Sequence, residues 1–384
     1  MYYQHKYKHY YQDPLFKYIG YTDPNPASNI KYITTVLDDD VIPSDYIKLT
    51  NILEKRIKGL CDEISAWFDE FRDFVIDKSI FYQNFKIPKK KGGFREIDAP
   101  LPALKHIQKE ILNVLQGSLE MVPHNSAYAY LKNRSTLSMA EKIKSKNCII
   151  KMDLTNFFNS ITKELLYEKL GNIFNFSYLK SYPIPNWTIE GKQANLFDAI
   201  IYLATKDDHL VQGNPLSPFL SNFVMLEFDH KITQAIKEGL IPRYTYTRYA
   251  DDLFFSDFAF ADTRKVINFV DNLLETCYHN CIKRNKEKTQ FLKCTKKCYI
   301  TGVKLNKDHK LTYGHENKKK LKLKLYNLFI KYDNNEATIE EVQELIGQFS
   351  YMKSIEPNYA DYLERKLLRK FNSTATTLGK HFKF

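Results

Sequence analysis

Residues 248–256 read RYADDLFFS, and the two adjacent acids decide how the rest of the chain is read. Side chains alternate across a strand, so neighbouring carboxylates there point to opposite faces, and like charges placed side by side repel. The flanking runs RYTYTRY and LFFSDF are rich in Tyr, Thr and Phe, which predicts a β-hairpin with Asp251 and Asp252 at its tight centre. At a turn the alternation breaks, so one acid can face a ligand while its neighbour supports it from behind. Asp is common in turns for local reasons of its own, so the pair needs corroboration from elsewhere in the chain.

That corroboration stands about 100 residues upstream, where CIIKMDL (148–154) reads as a short buried strand with Asp153 near its end. Three acids at the ends of neighbouring strands repel one another unless a cation neutralises them. Hard carboxylate oxygens suit Mg²⁺, which takes one or two protein carboxylates plus substrate phosphates. Two such ions about 3.5–4 Å apart activate an attacking hydroxyl and stabilise a leaving pyrophosphate, which is what nucleotidyl transfer requires.

Periodicity places the remaining elements. Residues 43–78 carry apolar side chains at helical spacing and predict one or two helices; FKIPKKKGGFREIDAP (85–100) predicts a hairpin around a basic Gly turn. LPALKHIQKEILNVLQGSL reads as an amphipathic helix, residues 160–210 as mostly helical with a Pro-containing loop at YPIPNW, and SPFLSNFVMLEFDHKITQAI as one long helix. A helix is expected over about 262–281, further strands in QFLKCTKKCYITGVKLN, and basic helices from 315 onward. Residues 1–30 read as a tail.

The chain has 384 residues, enough for two or three lobes, with ordinary hydrophobic (43%) and charged (27%) fractions. A net charge of +12 points to a polyanionic partner. An AT-rich coding sequence, however, favours the same Lys, Asn, Ile, Tyr and Phe. The first residues, MYYQHKYKHYYQ, lack the apolar core of a secretory signal, and no apolar run reaches bilayer-spanning length. The expected location is the cytoplasm, with no membrane partner. Cys277, Cys281, Cys294 and Cys298 form two C-x3-C pairs, but zinc knuckles use C-x2-C, so reduced thiols are the expectation.

The ordered set KMDLTNFF (151–158), QGNPLSPFLSN (212–222), RYADDLFFS (248–256) and NKEKT (285–289) resembles a reverse transcriptase, most closely the bacterial retron and defence-associated (abortive-infection-like) branch. The resemblance runs from about residue 80 to about 370. It implies an α+β right-hand polymerase fold with an antiparallel palm sheet. Residues 1–78 would form a mostly helical N-terminal extension, 79–147 and 160–211 the fingers, 148–159 and 212–312 the palm, and 313–384 a helical thumb.

It also implies roles. Asp153, Asp251 and Asp252 are the expected catalytic and metal-binding acids, the first two as direct ligands, with the Leu154 carbonyl beside them. Lys288 would protonate the leaving pyrophosphate. Phe158 falls where the family places a ring beneath the incoming sugar, selecting dNTP over NTP. Gln212, Gly213 and Tyr249 would line the nucleotide pocket, with Arg95 and Lys91 holding the triphosphate as fork and point charge. Arg134, in AYAYLKNRST, would meet template, and Tyr299 and Gly302, in CYITGV, would meet primer.

The sequence departs from retrons proper in two places: no N-A-x-x-H signature occurs in residues 185–211, and their V-T-G appears as Ile300-Thr301-Gly302. The implied cofactors are two Mg²⁺ ions, with Mn²⁺ as a substitute. The implied partners are dNTPs, a cDNA product and an RNA template, a dedicated non-coding RNA in an antiphage setting, with an effector protein or a second copy of the chain left open. Two rival readings stand beside this one. One is a template-independent or protein-primed polymerase using Tyr2, Tyr3, Tyr7, Tyr10 or Tyr11; the other is an RNA- or effector-binding scaffold whose chemistry is dispensable.

Overall fold

A computed structural model describes residues 44–71, 78–89, 92–119, 121–189, 191–294 and 298–382. The tail expected over residues 1–30, with its tyrosines, lies outside them. The chain divides into two compact units, the first drawn from Met1–Ala127, Leu154–Gln234 and Asn268–Arg284, the second from Tyr128–Asp153, Ala235–Ile267 and Asn285–Phe384.

In the first unit a single helix, Ser44–Phe71, fills the place where one or two were expected. Ile57, Leu60, Ile64, Trp67 and Phe68 recur at helical spacing and are buried. Phe68 stacks on Trp187 with ring centroids 3.7 Å apart. Trp187 overturns one expectation, because YPIPNW is no loop. It opens the strand Pro183–Ile189, which pairs antiparallel with Lys192–Asn195. Only Ile184 and Trp187 of that stretch are buried, and the register shifts between Pro183 and Thr188 around Asn186, whose φ is 59°. The bulge lets a short, two-stranded edge hairpin carry prolines that a central strand would reject.

The basic hairpin forms as expected, Tyr82–Pro88 against Phe94–Pro100 in unbroken antiparallel register. The helix Pro102–Asn113 follows, with proline in its first turn where no N–H partner is needed. The long helix expected from SPFLSN is two helices, Leu216–Val224 and Leu226–Lys237, interrupted at Met225 with φ −80° and ψ 0°. Asn214 anchors the first of them. Its side chain accepts from the Leu216 N–H and donates to the carbonyls of Leu203 and Ala204.

The second unit is built on a four-stranded sheet in which Cys148–Leu154 lies between Arg284–Lys293 and Asp252–Asp257, with Thr245–Tyr249 outermost. Cys148–Leu154 and Asp252–Asp257 run antiparallel, as do Thr245–Tyr249 and Asp252–Asp257. The expected α+β class with an antiparallel sheet is the one found. Ile150, Met152, Leu253 and Phe255 are fully buried on one face. Ile149 and Phe254, on the other, join a core with Met139, Ile143, Cys294, Cys298, Ile300 and Val303. Beyond it the helices His315–Asp333, Ile339–Ile355 and Pro357–Lys370 enclose a separate core around Leu325, Phe329, Met352 and Leu363. The first and third are basic as expected, whereas Ile339–Ile355, with Glu340, Glu341 and Glu344 against Lys353, is acidic. No helix of the described residues is long and apolar enough to cross a membrane.

Candidate active site

The hairpin quoted at the outset closes on Tyr249↔Asp252, leaving Ala250 and Asp251 as its two-residue loop. Ala250 has a φ of 54°, a left-handed conformation that costs a non-glycine residue about 1–3 kcal/mol. Arg248, the largest fully buried side chain, donates from Nη1 to the Ala250 carbonyl at 3.2 Å. A buried guanidinium thus pins the strained turn from inside, and Asp251 follows directly from it.

Asp153 stands directly opposite Asp252 in the register of the two antiparallel strands, and Asp251 lies in the adjoining turn. Each of two lysines takes one of them. Lys288 Nζ reaches Asp153 Oδ2 at 2.9 Å, and Lys151 Nζ reaches Asp252 Oδ2 at 2.7 Å. Asp251 is left with the electrostatic cost. Its carboxyl is pushed up to about 6, first by burial and then by the neighbouring charges of Asp252 and Asp153. Asp252 is also raised, by burial above all, with Lys151 pulling the other way. The hydrogen bond to Asp153 raises Lys288. Among the described residues no three His, Cys, Asp or Glu side chains converge as a ready-made metal cage.

Several other candidates also fall in the second unit. Tyr249 is half-buried, with its hydroxyl pushed up by burial and by Tyr351. Tyr299 is exposed, and Gly302 (φ 92°) lies in the two-residue loop joining Cys298–Ile300 to Val303–Leu305. Arg134 is half-buried over the Tyr128 ring.

The remaining candidates belong to the first unit. Arg95 is exposed on the basic hairpin, opposite Ile87; Lys91 lies outside the described residues. Phe158 is half-buried, its ring centroid 5.6 Å from that of Phe157. Leu154 is buried. The Gln212 carbonyl accepts from the Asp98 N–H at 2.8 Å, and the Gln212 Oε1 is buried without a hydrogen-bond partner. Gly213 has a φ of 119°, and a Cβ there would lie 2.4 Å from the Asp98 carbonyl oxygen. The close approach that a glycine permits here is made by the hairpin's own backbone.

Two residues of the cluster escaped the sequence reading. Lys151 is two residues before Asp153 on a strand, so alternation already put both on one face. Arg248 gave no signal, because nothing in the sequence marks a strand arginine as buried. Of the cysteines, Cys294 and Cys298 approach to 3.5 Å within the core, Cys277 is buried and Cys281 exposed, and all six are free.

The chain is similar to known proteins over most of its length. Residues 87–305 match the family model described as "Reverse transcriptase (RNA-dependent DNA polymerase)". The chain is 32% identical over 295 residues to the retron Ec83 reverse transcriptase of Escherichia coli, covering 74% of this chain and 86% of that protein. It is 29% identical over 320 residues to the retron Ec73 reverse transcriptase of Escherichia coli, covering 82% of this chain and 96% of that protein. Among solved structures, apo telomerase from Candida tropicalis is similar with a TM-score of 0.45 at 14% identity, over 76% of this chain and 58% of that one.

Proposed function

This chain belongs to the reverse transcriptase family as a retron-type bacterial RNA-directed DNA polymerase, and from that premise we propose that Asp153, Asp251 and Asp252 form its catalytic centre. The observation that carries the assignment is the register that sets Asp153 opposite Asp252 and puts Asp251 in the adjoining turn. The donor set suits Mg²⁺ or Mn²⁺: hard oxygens only, with one partly buried acid, Asp251, whose burial and like-charged neighbours oppose its ionisation until a cation arrives. Bound divalent ions would supply activation of the primer hydroxyl and stabilisation of the pyrophosphate.

The chain's own residues do the rest. Lys288 carries an ammonium at the edge of the cluster, more than half exposed and paired with Asp153, so it can turn to a leaving pyrophosphate and give up a proton there. Arg95 offers an exposed fork for a triphosphate. On the family resemblance, Phe158 is the ring assigned to exclude a 2′-OH. Asp251→Ala is expected to abolish Mg²⁺-dependent dNTP incorporation on a primed RNA template. Retained incorporation would overturn the assignment. Phe158→Val is expected to admit ribonucleotides in the same assay, and an unchanged preference for dNTPs counts against the gate.

The finer reading places this enzyme in antiphage defence with a dedicated non-coding RNA. Its support is the resemblance to the retron and defence-associated branch, which the two departures in signature do not remove. Cells carrying Asp251→Ala are expected to lose phage protection; protection that survives the substitution favours the scaffold reading.

A further inference from the structure

We propose that Lys151 is a built-in counter-ion that holds Asp252 out of the metal-binding set, leaving Asp153 and Asp251 as the pair that receives divalent cations. The proposal rests on the catalytic assignment above and goes beyond it in naming Lys151 as the group that withholds Asp252 from the cations.

The placement follows from strand geometry. Lys151 and Asp153 lie two residues apart and share one face, and across the pair Lys151 stands opposite Phe254 while Asp153 stands opposite Asp252. Lys151 and Asp252 are therefore diagonal neighbours on that face, a separation a lysine stem spans. The stem has a surface to lie along, because the Lys151 ammonium is 5.4 Å from the Phe254 ring centroid and Phe254 is fully buried. The face thus runs from core at Ile149 and Phe254 to acids at Asp153 and Asp252, with Lys151 at the boundary.

The two lysine–acid pairs differ in their exposure. Lys288 is 61% exposed where it meets Asp153, whereas Lys151 is 23% exposed and Asp252 17%. An exposed pair is worth little and is screened, so a divalent cation displaces Lys288 from Asp153 readily. Removing one partner of a pair shielded from water leaves the other charge uncompensated, so Lys151 and Asp252 resist separation. A cation entering the cluster finds Asp251 without an ammonium contact among the described residues, Asp153 weakly held and Asp252 taken.

Mn²⁺ binding to the nucleic-acid-free full-length chain tests this, with free Mn²⁺ counted by its electron paramagnetic resonance signal. Asp251→Asn and Asp153→Asn are expected to weaken binding at least tenfold, and Asp252→Asn less than threefold. Lys151→Met releases Asp252 and is expected to tighten Mn²⁺ binding at least fivefold or add a further ion. Lys151→Arg keeps the charge and is expected to bind as the wild type does. The proposal is overturned if Asp252→Asn weakens Mn²⁺ as much as Asp251→Asn does; this readout stands even if Lys151→Met fails to fold. A Lys151→Met protein that binds Mn²⁺ no more tightly than wild type also overturns it. Absence of Mn²⁺ binding by the wild type rejects the catalytic assignment itself, and the counter-ion role with it.

Discussion

Asp251 is the residue at which the physics of the site is most concentrated. Its carboxyl is pushed up to about 6 from an ordinary 3.8 by burial and by Asp252 and Asp153. A carboxyl with a raised folded pKa holds its proton more tightly folded than unfolded. Its penalty is therefore absent below about pH 4 and grows as pH rises through about 6. With divalent ions chelated, Asp251→Asn is expected to stabilise the protein at pH 7.5 by an amount on the order of 2 kcal/mol, and to do almost nothing at pH 4. Urea unfolding at the two pH values checks this; an equal gain at both would mean that Asp251 is not strained by its neighbours. Gly213 makes the opposite kind of demand. A Cβ 2.4 Å from the Asp98 carbonyl, at a φ of 119°, must push two backbones apart, so Gly213→Ala is expected to cost about 3 kcal/mol or more in the same measurement.

At the level of elements, the local signals were legible and the pairings between distant segments were not. The hairpin around Asp251 and the strand ending near Asp153 announced themselves through composition and short-range alternation. That Asp153 would face Asp252, with Lys151 reaching across diagonally, depends on the register between strands about 100 residues apart, which periodicity does not encode. YPIPNW was misread because proline argues against a strand, and only a bulge at Asn186 makes the exception workable. The break at Met225 lies in an apolar run whose helical pattern continues unbroken across it. The loop of the Cys298–Leu305 hairpin has a further local cost. Thr301 has a φ of 45°, unusual for a β-branched residue, and its hydroxyl is buried with no hydrogen-bond partner. Asn tolerates this backbone far better, so Thr301→Asn is expected to raise stability by about 1 kcal/mol in chemical denaturation. A loss of stability would mean that the threonine packs better than its strain suggests.

For the whole molecule, the open question from the sequence was whether a charge of +12 serves a polyanionic partner or merely reflects codon bias. The charge is not spread evenly. Arg365, Lys366, Arg369 and Lys370 line one face of the helix Pro357–Lys370 together with Tyr362. The nearby acids Asp361 and Glu364 are occupied by Lys353. Codon bias explains an excess of lysine but not the gathering on one helical face of four cations with no acid partner among the described residues and a half-exposed tyrosine beside them, a pattern suited to a phosphate backbone. Counterion release gives this a measurable form, since each phosphate contact on a duplex adds about 0.9 to the slope of log affinity against log salt. Replacing the four cations with Gln is expected to reduce that slope by about 3 to 4 for a primed RNA template, while Asp251→Asn leaves it unchanged. A slope that does not move would assign this face to solvent and return the basicity to codon usage.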